Sequence, residues 1–247
     1  MGMEISWRSE QGTLTSDNRD FCGAGLRDDA ALCVVLDGST SGPNSGEFAC
    51  AIAQALIDWF VEAGKVSADA IIDRLHNIHD DLSSGFRTDS ASFVCALIEE
   101  AEESVRVIHS GDCLAGLRAG MSGIKWRTRP HTLANAIEDV PICEIALSPL
   151  RNRLTRSFRG REFMAPDISE LRLEGDQELV LATDGFWAAL SPEAQARFLA
   201  GDAMPHADEK KLDDCSTMVI RRPDGSHCRI TGDRAENCYI VSGSRSD

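Results

Sequence analysis

The apolar positions of this chain fall into two periods. Short continuous runs at 30–36 and 179–182 predict buried strands, and each ends in Asp-Gly, at 37–38 and 184–185. Residues 3–7 alternate as a first strand would, and 92–98, 104–109, 113–117 and 124–128 read as successive strands. Their short connections, 99–103 and Gly111-Asp112, favour antiparallel neighbours. Between these stretches the period turns helical. A helix is expected from Asn44 with Glu47 in a capping box, burying Phe48, Ile52, Ala55, Leu56 and Trp59. A second follows the cap Ser67, with Ile71, Ile72, Leu75, Ile78 and Leu82 as its stripe. Segments 132–139 and 149–159 also look helical, and Ser191 caps a further helix that opens at Pro192. Residues 11–29 read as a solvated loop and 201–214 as an irregular acidic stretch. A Pro223-Asp224-Gly225 turn then precedes short strands at 227–231 and 238–241. Runs of strands, then helix pairs, then strands again give an α+β fold with antiparallel sheets. Without repeats or linkers, 1–247 is read as one domain.

Charge and cysteine usage narrow this picture. A formal net charge of -15 argues against nucleic acid or an anionic membrane as partner, because both select basic surfaces. The nine cysteines include no Cys-x-x-Cys pair and several lie in apolar runs, so reduced buried thiols are expected rather than disulfides or structural zinc. With neither a signal-like core nor a membrane-length apolar stretch, the expected location is cytoplasmic. His76 and His79 beside Asp80 and Asp81 are read as a polar helix face. The one basic cluster, Arg151, Arg153, Arg156, Arg159 and Arg161, could help bind an anion but is read as a solvated helix face.

The chemistry is carried by aspartates. Asp20, Asp37, Asp112, Asp184 and either Asp213 or Asp214 each end an apolar run or sit in a tight connection. Brought to one edge, such carboxylates repel and need a cation. Oxygen ligands without His or Cys favour Mg²⁺ or Mn²⁺, and two ions roughly 4 Å apart activate water for phosphoryl hydrolysis. The Ser/Gly/Pro-rich loop 39–45 looks like a phosphate cradle, but it lacks the Gly-Lys-Ser/Thr ending and is not read as a nucleotide site.

These residues carry a resemblance. Asn18-Arg19-Asp20, Val34-Val35-Leu36-Asp37-Gly38, Ser90-Ala91-Ser92, Gly111-Asp112, Leu181-Ala182-Thr183-Asp184-Gly185-Phe186-Trp187 and Asp213-Asp214-Cys215-Ser216 occur in the order found in the PP2C family. Those proteins are metal-dependent serine/threonine phosphatases. Residues 154–160, Leu-Thr-Arg-Ser-Phe-Arg-Gly, also resemble the family's Leu-Thr-Arg-Ala-Leu-Gly segment. The resemblance implies a four-layer αββα sandwich of two mainly antiparallel sheets flanked by helix pairs. It implies that Asp37 bridges two metals, that Gly38 lends its carbonyl and that Asp20 organises one metal's water shell. Asp184 and the 213–214 pair would hold the other metal. Asp213 is preferred, since Asp-Asp-x-Ser matches the family's Asp-Asn-x-Thr, with Asp214 as the alternative. Asp112 would reach a third, weaker metal. A metal-bridging hydroxide would attack a phosphoserine or phosphothreonine of a protein substrate.

Departures from the family pattern bear on substrate and rate. Thr15 stands where the family has an arginine that grips the substrate phosphate, and Arg19 is the candidate replacement cation. Ser39-Thr40-Ser41-Gly42 replaces the continuation that carries the family's general-acid histidine, leaving Ser39 or a metal-bound water for that role. Loss of an acid costs roughly 10²–10⁴-fold in rate. A metal-dependent phosphatase is the leading expectation. A phosphoprotein-binding pseudophosphatase and a phosphatase for a small phosphorylated metabolite are the alternatives.

Overall fold

The computed structural model describes residues 2–100, 102, 104–202, 212–223, 228–232 and 237–243. The acidic segment 203–211 and most of the expected 223–225 turn lie outside them. Strands β1 (Met3–Glu10), β2 (Asp20–Leu26) and β3 (Ala30–Gly38) open the chain, followed by helices α1 (Ser45–Glu62) and α2 (Ala68–Leu82). Strands β4 (Ser90–Glu99), β5 (Ser104–Ser110), β6 (Leu114–Ala119) and β7 (Lys125–Trp126) come next. A 3₁₀ turn (Leu133–Asn135), α3 (Ile142–Leu147), β8 (Phe158–Arg159), β9 (Asp167–Arg172) and β10 (Gln177–Ala182) lead to α4 (Asp184–Trp187). The described elements close with α5 (Pro192–Leu199), β11 (Cys215–Arg221), β12 (Cys228–Gly232) and β13 (Cys238–Ser242).

The strands form two sheets. One runs β12-β1-β11-β10-β6-β7, the other β13-β2-β3-β4-β5-β9 with β8 added beside β4. The β1–β12 and β2–β13 pairs are parallel and the other pairs antiparallel. The layering follows from alternation along each strand. On β3, Ala31, Cys33 and Val35 point between the sheets, where they meet Trp7, Leu181 and Met218. Leu32, Val34 and Leu36 point outward, against Phe48, Ile52 and Leu56 of α1 and Leu75 of α2. A strand covered on both faces needs no polar position, which is why residues 30–36 read as an unbroken apolar run. The opposite outer face, with Leu114, Ala182 and Cys215, is covered by Ile145 of α3, Phe186 and Trp187 of α4, and Phe198 of α5. The four-layer αββα arrangement therefore holds, with one helical layer made of the long α1–α2 pair and the other of three short helices.

Four local expectations change. Residues 20–26 are a buried strand, not part of a solvated loop. Gly23 and Gly25 lie against Ile57 and Phe60, so small residues there admit α1 to the sheet. Asn44 precedes α1 without capping it by its side chain; its N–H donates instead to Asp89 Oδ1 at 2.8 Å. Segments 132–139 and 149–159 are not regular helices: the first keeps one 3₁₀ turn and the second is a run of turns that ends in β8. Of its arginines, Arg151 reaches Asp184, Arg156 reaches Asp167 of β9 and Arg159 reaches Leu154 and Ser157, while Arg153 is exposed. Finally, Gly111-Asp112 does not join antiparallel neighbours. β5 and β6 belong to different sheets, and the three-residue step Gly111-Asp112-Cys113 crosses between them.

That crossing demands glycine. Gly111 has φ 102°, and a Cβ there would sit 2.2 Å from Ser92 Oγ. Gly111→Ala is expected to lower unfolding stability by at least about 1–2 kcal/mol, from left-handed strain before any clash is counted. A denaturant midpoint equal to that of the parent would overturn this account of the crossover.

Candidate active site

One edge of the sandwich gathers the ends of β2, β3, β10 and β11 with the crossover after β5. Asp20 and Asp37 are cross-strand partners at the end of the β2–β3 ladder, and Asp37 is also paired with Ser92 of β4. From the other sheet, β10 runs out at Ala182 and delivers Thr183 and Asp184, while Asp213 and Asp214 immediately precede β11. Asp20, Asp112, Asp184 and Asp214 are buried; Asp37 and Asp213 are partly exposed.

Most of these carboxylates are held by a specific donor. Thr183 Oγ1 donates to Asp20 Oδ2 at 2.9 Å and accepts from the Ser216 N–H, which ties the two sheets together at this edge. Ser92 Oγ donates to Asp112 Oδ1 at 2.6 Å, and the Trp187 indole donates to the Asp112 carbonyl at 2.8 Å. Asp184 Oδ2 accepts from Arg151 at 2.6 Å. Gly185 packs so closely on residue 214 that a Cβ would lie 1.9 Å from the Asp214 carbonyl, which fixes where α4 begins. The two adjacent aspartates differ. Asp214 spends both oxygens on backbone N–H groups, Gly12 at 2.8 Å and Arg19 at 2.7 Å. Among the described residues, Asp213 accepts only the next residue's N–H, through one oxygen.

Electrostatics mark the cluster. Burial, then the neighbouring carboxylates, push Asp20 and Asp37 well above the usual carboxylate range. Burial and Asp184 push Asp112 up to about 7 and Asp213 up to about 6. Among the described residues, Asp20 Oδ1 is buried without a hydrogen-bond partner. Crowded oxygens, one of them an orphaned acceptor, match the donor set of a hard divalent cation, since a cation is what would satisfy them together.

Arg19 does not reach an open site. Its guanidinium donates to the carbonyls of Ser39 at 2.8 Å and Gly42 at 2.6 Å, so it clamps the 39–42 loop instead of waiting for a substrate anion. The side chain that does reach the carboxylates is Arg151, whose segment periodicity had placed on a helix face. Thr183, Ser92, Trp187 and Ser216 also escaped sequence reasoning as supports, although all lie within or beside the quoted motifs. His131 gave no signal at all. His109, His131 and Asp167 present ligand atoms within 4.8 Å of one another, but existing bonds already employ His131. The Gly111 N–H donates to Nδ1 at 3.1 Å, so Nε2 carries the proton and donates to Asp167 Oδ2 at 3.0 Å, while Arg156 pairs with the other oxygen. A metal on Nε2 would leave two donors facing each other at Nδ1. The arrangement secures the crossover that carries Asp112.

The fold has solved counterparts. The serine/threonine phosphatase Stp1 from Staphylococcus aureus superposes with TM-score 0.75 at 19% identity, covering 91% of this chain and 96% of that one. The S. agalactiae serine/threonine phosphatase gives 0.73 at 19% identity, over 90% and 100%. The PPM Ser-Thr phosphatase MsPP from Mycobacterium smegmatis, in complex with cacodylate, gives 0.71 at 20% identity, over 89% and 98%. The chain thus shares the PPM/PP2C fold over nearly its whole length. No family model matches the sequence, and no curated protein is similar to it in sequence.

The raised carboxyls set a pH dependence for the metal-free protein. A folded-state pKa above the unfolded value means the native state binds the proton more tightly. The associated stability is full below the unfolded pKa and is lost as pH rises through the folded one. For Asp213 and Asp112 that window runs from about 4 to about 7. In EDTA the melting temperature is expected to be higher at pH 5 than at pH 8 by more than about 5 °C, and Mn²⁺ to recover most of the loss at pH 8. A flat or rising profile in EDTA would contradict the clustering of these groups.

Proposed function

We propose that the chain hydrolyses phosphoserine and phosphothreonine esters on proteins, using two bound divalent cations, Mg²⁺ or Mn²⁺. The observation that carries this reading is the convergence of Asp20, Asp37, Asp112, Asp184 and Asp213 from both sheets on one edge of a fold shared with serine/threonine phosphatases. Asp37, with the Gly38 carbonyl and Asp20, would hold one ion; Asp184 and Asp213 would hold the other, with Asp37 shared. Asp213 is assigned in preference to Asp214 because Asp214 is consumed by backbone donors. Asp112 would serve a weaker third position. Such ions lower the pKa of water and neutralise phosphoryl oxygens.

The remaining tasks fall to the chain itself. Thr183 and Ser92 orient Asp20 and Asp112, so that little reorganisation remains when a cation arrives. Arg19 fixes the loop after Gly38, in which the Ser39 and Ser41 hydroxyls lie 2.9 Å apart, and Ser39 would be the candidate to supply a proton to the leaving alkoxide. Arg151 neutralises Asp184 in the absence of metal, so cation binding there competes with it.

Two measurements test this. With Mn²⁺, turnover of p-nitrophenyl phosphate and of a phosphopeptide is expected to fall by at least about 10²-fold in Asp37→Asn and in Asp184→Asn. Equal residual turnover in parent and both variants would sink the reading, and tight metal binding without turnover would establish a binding module instead. A small phosphorylated metabolite hydrolysed in preference to every phosphopeptide would move the substrate class. Separately, Arg151→Met is expected to tighten Mn²⁺ binding about tenfold by calorimetry while lowering the metal-free melting temperature, because a charge-assisted bond is worth about 1.5–3 kcal/mol. Unchanged affinity would mean that Arg151 and the metal do not share Asp184.

A further inference from the structure

Beside the carboxylate cluster lies a second concavity of about 600 Å³. Its walls are the start of the loop after Asp37-Gly38 (Ser39), the α2–β4 connection (Arg87), the 148–157 turns (Asn152) and the β8 region (Arg159, Arg161). The pocket adjoins the candidate centre on two sides. Ser39 lies two residues beyond Asp37 and is pinned to β4 by its N–H on the Ser90 carbonyl at 2.9 Å. Asn152 follows Arg151, whose guanidinium is on Asp184.

Its charge is opposite to that of the molecule. Three arginines line a pocket of a chain whose net charge is -15. Asp89 is the acidic residue among the lining, but it is only 3% exposed and turned inward, where Asp89 Oδ1 takes the Asn44 N–H and the Ser45 hydroxyl. Arg159 is partly employed: it donates to the Leu154 carbonyl at 3.2 Å and to Ser157 Oγ at 3.1 Å, which stiffens the wall. Arg87 and Arg161 are exposed, and among the described residues neither has an ion pair or hydrogen bond. Unpaired guanidiniums have five donors each in a planar fork, the geometry that phosphate and carboxylate oxygens accept.

We infer that this pocket is an accessory anion subsite. It binds a second negatively charged group, a phosphoryl or a carboxylate, on the same peptide that presents its phosphoresidue to the carboxylate cluster. The inference rests on the phosphatase reading and deepens it, by making phosphopeptides with a second anionic group within a few residues the favoured substrate class. It also gives the site cations for its substrate on a chain where Arg19 is spent on a loop and Arg151 on Asp184.

The test uses three peptides of one sequence: singly phosphorylated with neutral flanks, singly phosphorylated with glutamate flanks, and doubly phosphorylated. The parent is expected to prefer each anionic peptide over the neutral one by at least about tenfold in kcat/KM, carried mostly by KM. In Arg87→Ala/Arg161→Ala the preference should shrink to about twofold, with p-nitrophenyl phosphate turnover unchanged. A preference for only one anionic peptide would identify the group as phosphoryl or carboxylate. Equal kcat/KM for all three peptides, or a preference of the same size in the variant, would overturn the subsite. Fluorescence anisotropy of the doubly phosphorylated peptide on metal-free protein separates the two readings. If the parent turns over no substrate, the phosphatase reading fails by itself. A roughly tenfold weaker binding by the double variant would still uphold the subsite, and equal binding would overturn it.

Discussion

Like charges held together without water are expensive, and this molecule places several at one edge of its sandwich. Asp20, Asp37, Asp112, Asp184 and Asp213 come from different strands and connections, and burial plus mutual repulsion drives several of them toward the protonated form. The surrounding structure reads as the means of holding them there. Thr183 bonds to Asp20 across the gap between sheets, Ser92 and Trp187 fix Asp112 at both side chain and carbonyl, and Arg151 neutralises Asp184. Each is a hydrogen bond worth of order 1 kcal/mol, or about 1.5–3 kcal/mol for the charge-assisted bond from Arg151. Together they fix the orientation of groups that would otherwise turn away from one another.

Close approach of the two sheets makes this placement possible, and alternation along the strands makes the approach possible. On β3 and β4, odd and even positions serve different cores, one shared with the second sheet and one with α1 and α2. Both strands can therefore be apolar along most of their length and still lead into a polar site, because the β2–β3 ladder ends where Asp37 pairs with Asp20, one residue before the β3–β4 ladder ends at Gly38. The crossover at Gly111 is the complementary device. It moves the chain from one sheet to the other in three residues, and so leaves Asp112 at the junction rather than on a surface turn.

What the sequence disclosed follows from which interactions are local. Buried strands, the Ser67 and Ser191 caps and the α1 and α2 stripes are encoded within a few residues, and each appears in the fold. The Asp-Gly strand ends are local as well, so the candidate carboxylates could be named before their positions were known. The motif match alone favours Asp213 over Asp214, whereas the bonds that occupy Asp214 come from Gly12 and Arg19, about two hundred residues away, and leave no local signal. Strand β2 was misread as loop because its glycines, a turn signal in isolation, serve helix packing here. The 149–159 segment failed for a related reason. Its arginine spacing imitates a solvated helix face, yet Arg151 reaches Asp184 and Arg156 reaches Asp167 from a run of turns.

Those arginines show how cations are distributed around an acidic centre. Arg19 and Arg151 lie close to the carboxylates and are already engaged, one by loop carbonyls and the other by Asp184. A permanent free guanidinium among metal ligands would compete with any metal for the same oxygens, so a cation meant for substrate is better placed farther out. Arg87 and Arg161 occupy such a position, in a separate concavity whose lining includes Ser39, two residues from Asp37, and Asn152, next to Arg151. Separating the two sets lets one molecule attract an anionic ligand without neutralising the carboxylates that would act on it. With Thr15 at the position of the arginine in the PP2C pattern, the proposed subsite is where this chain would find cations for a substrate.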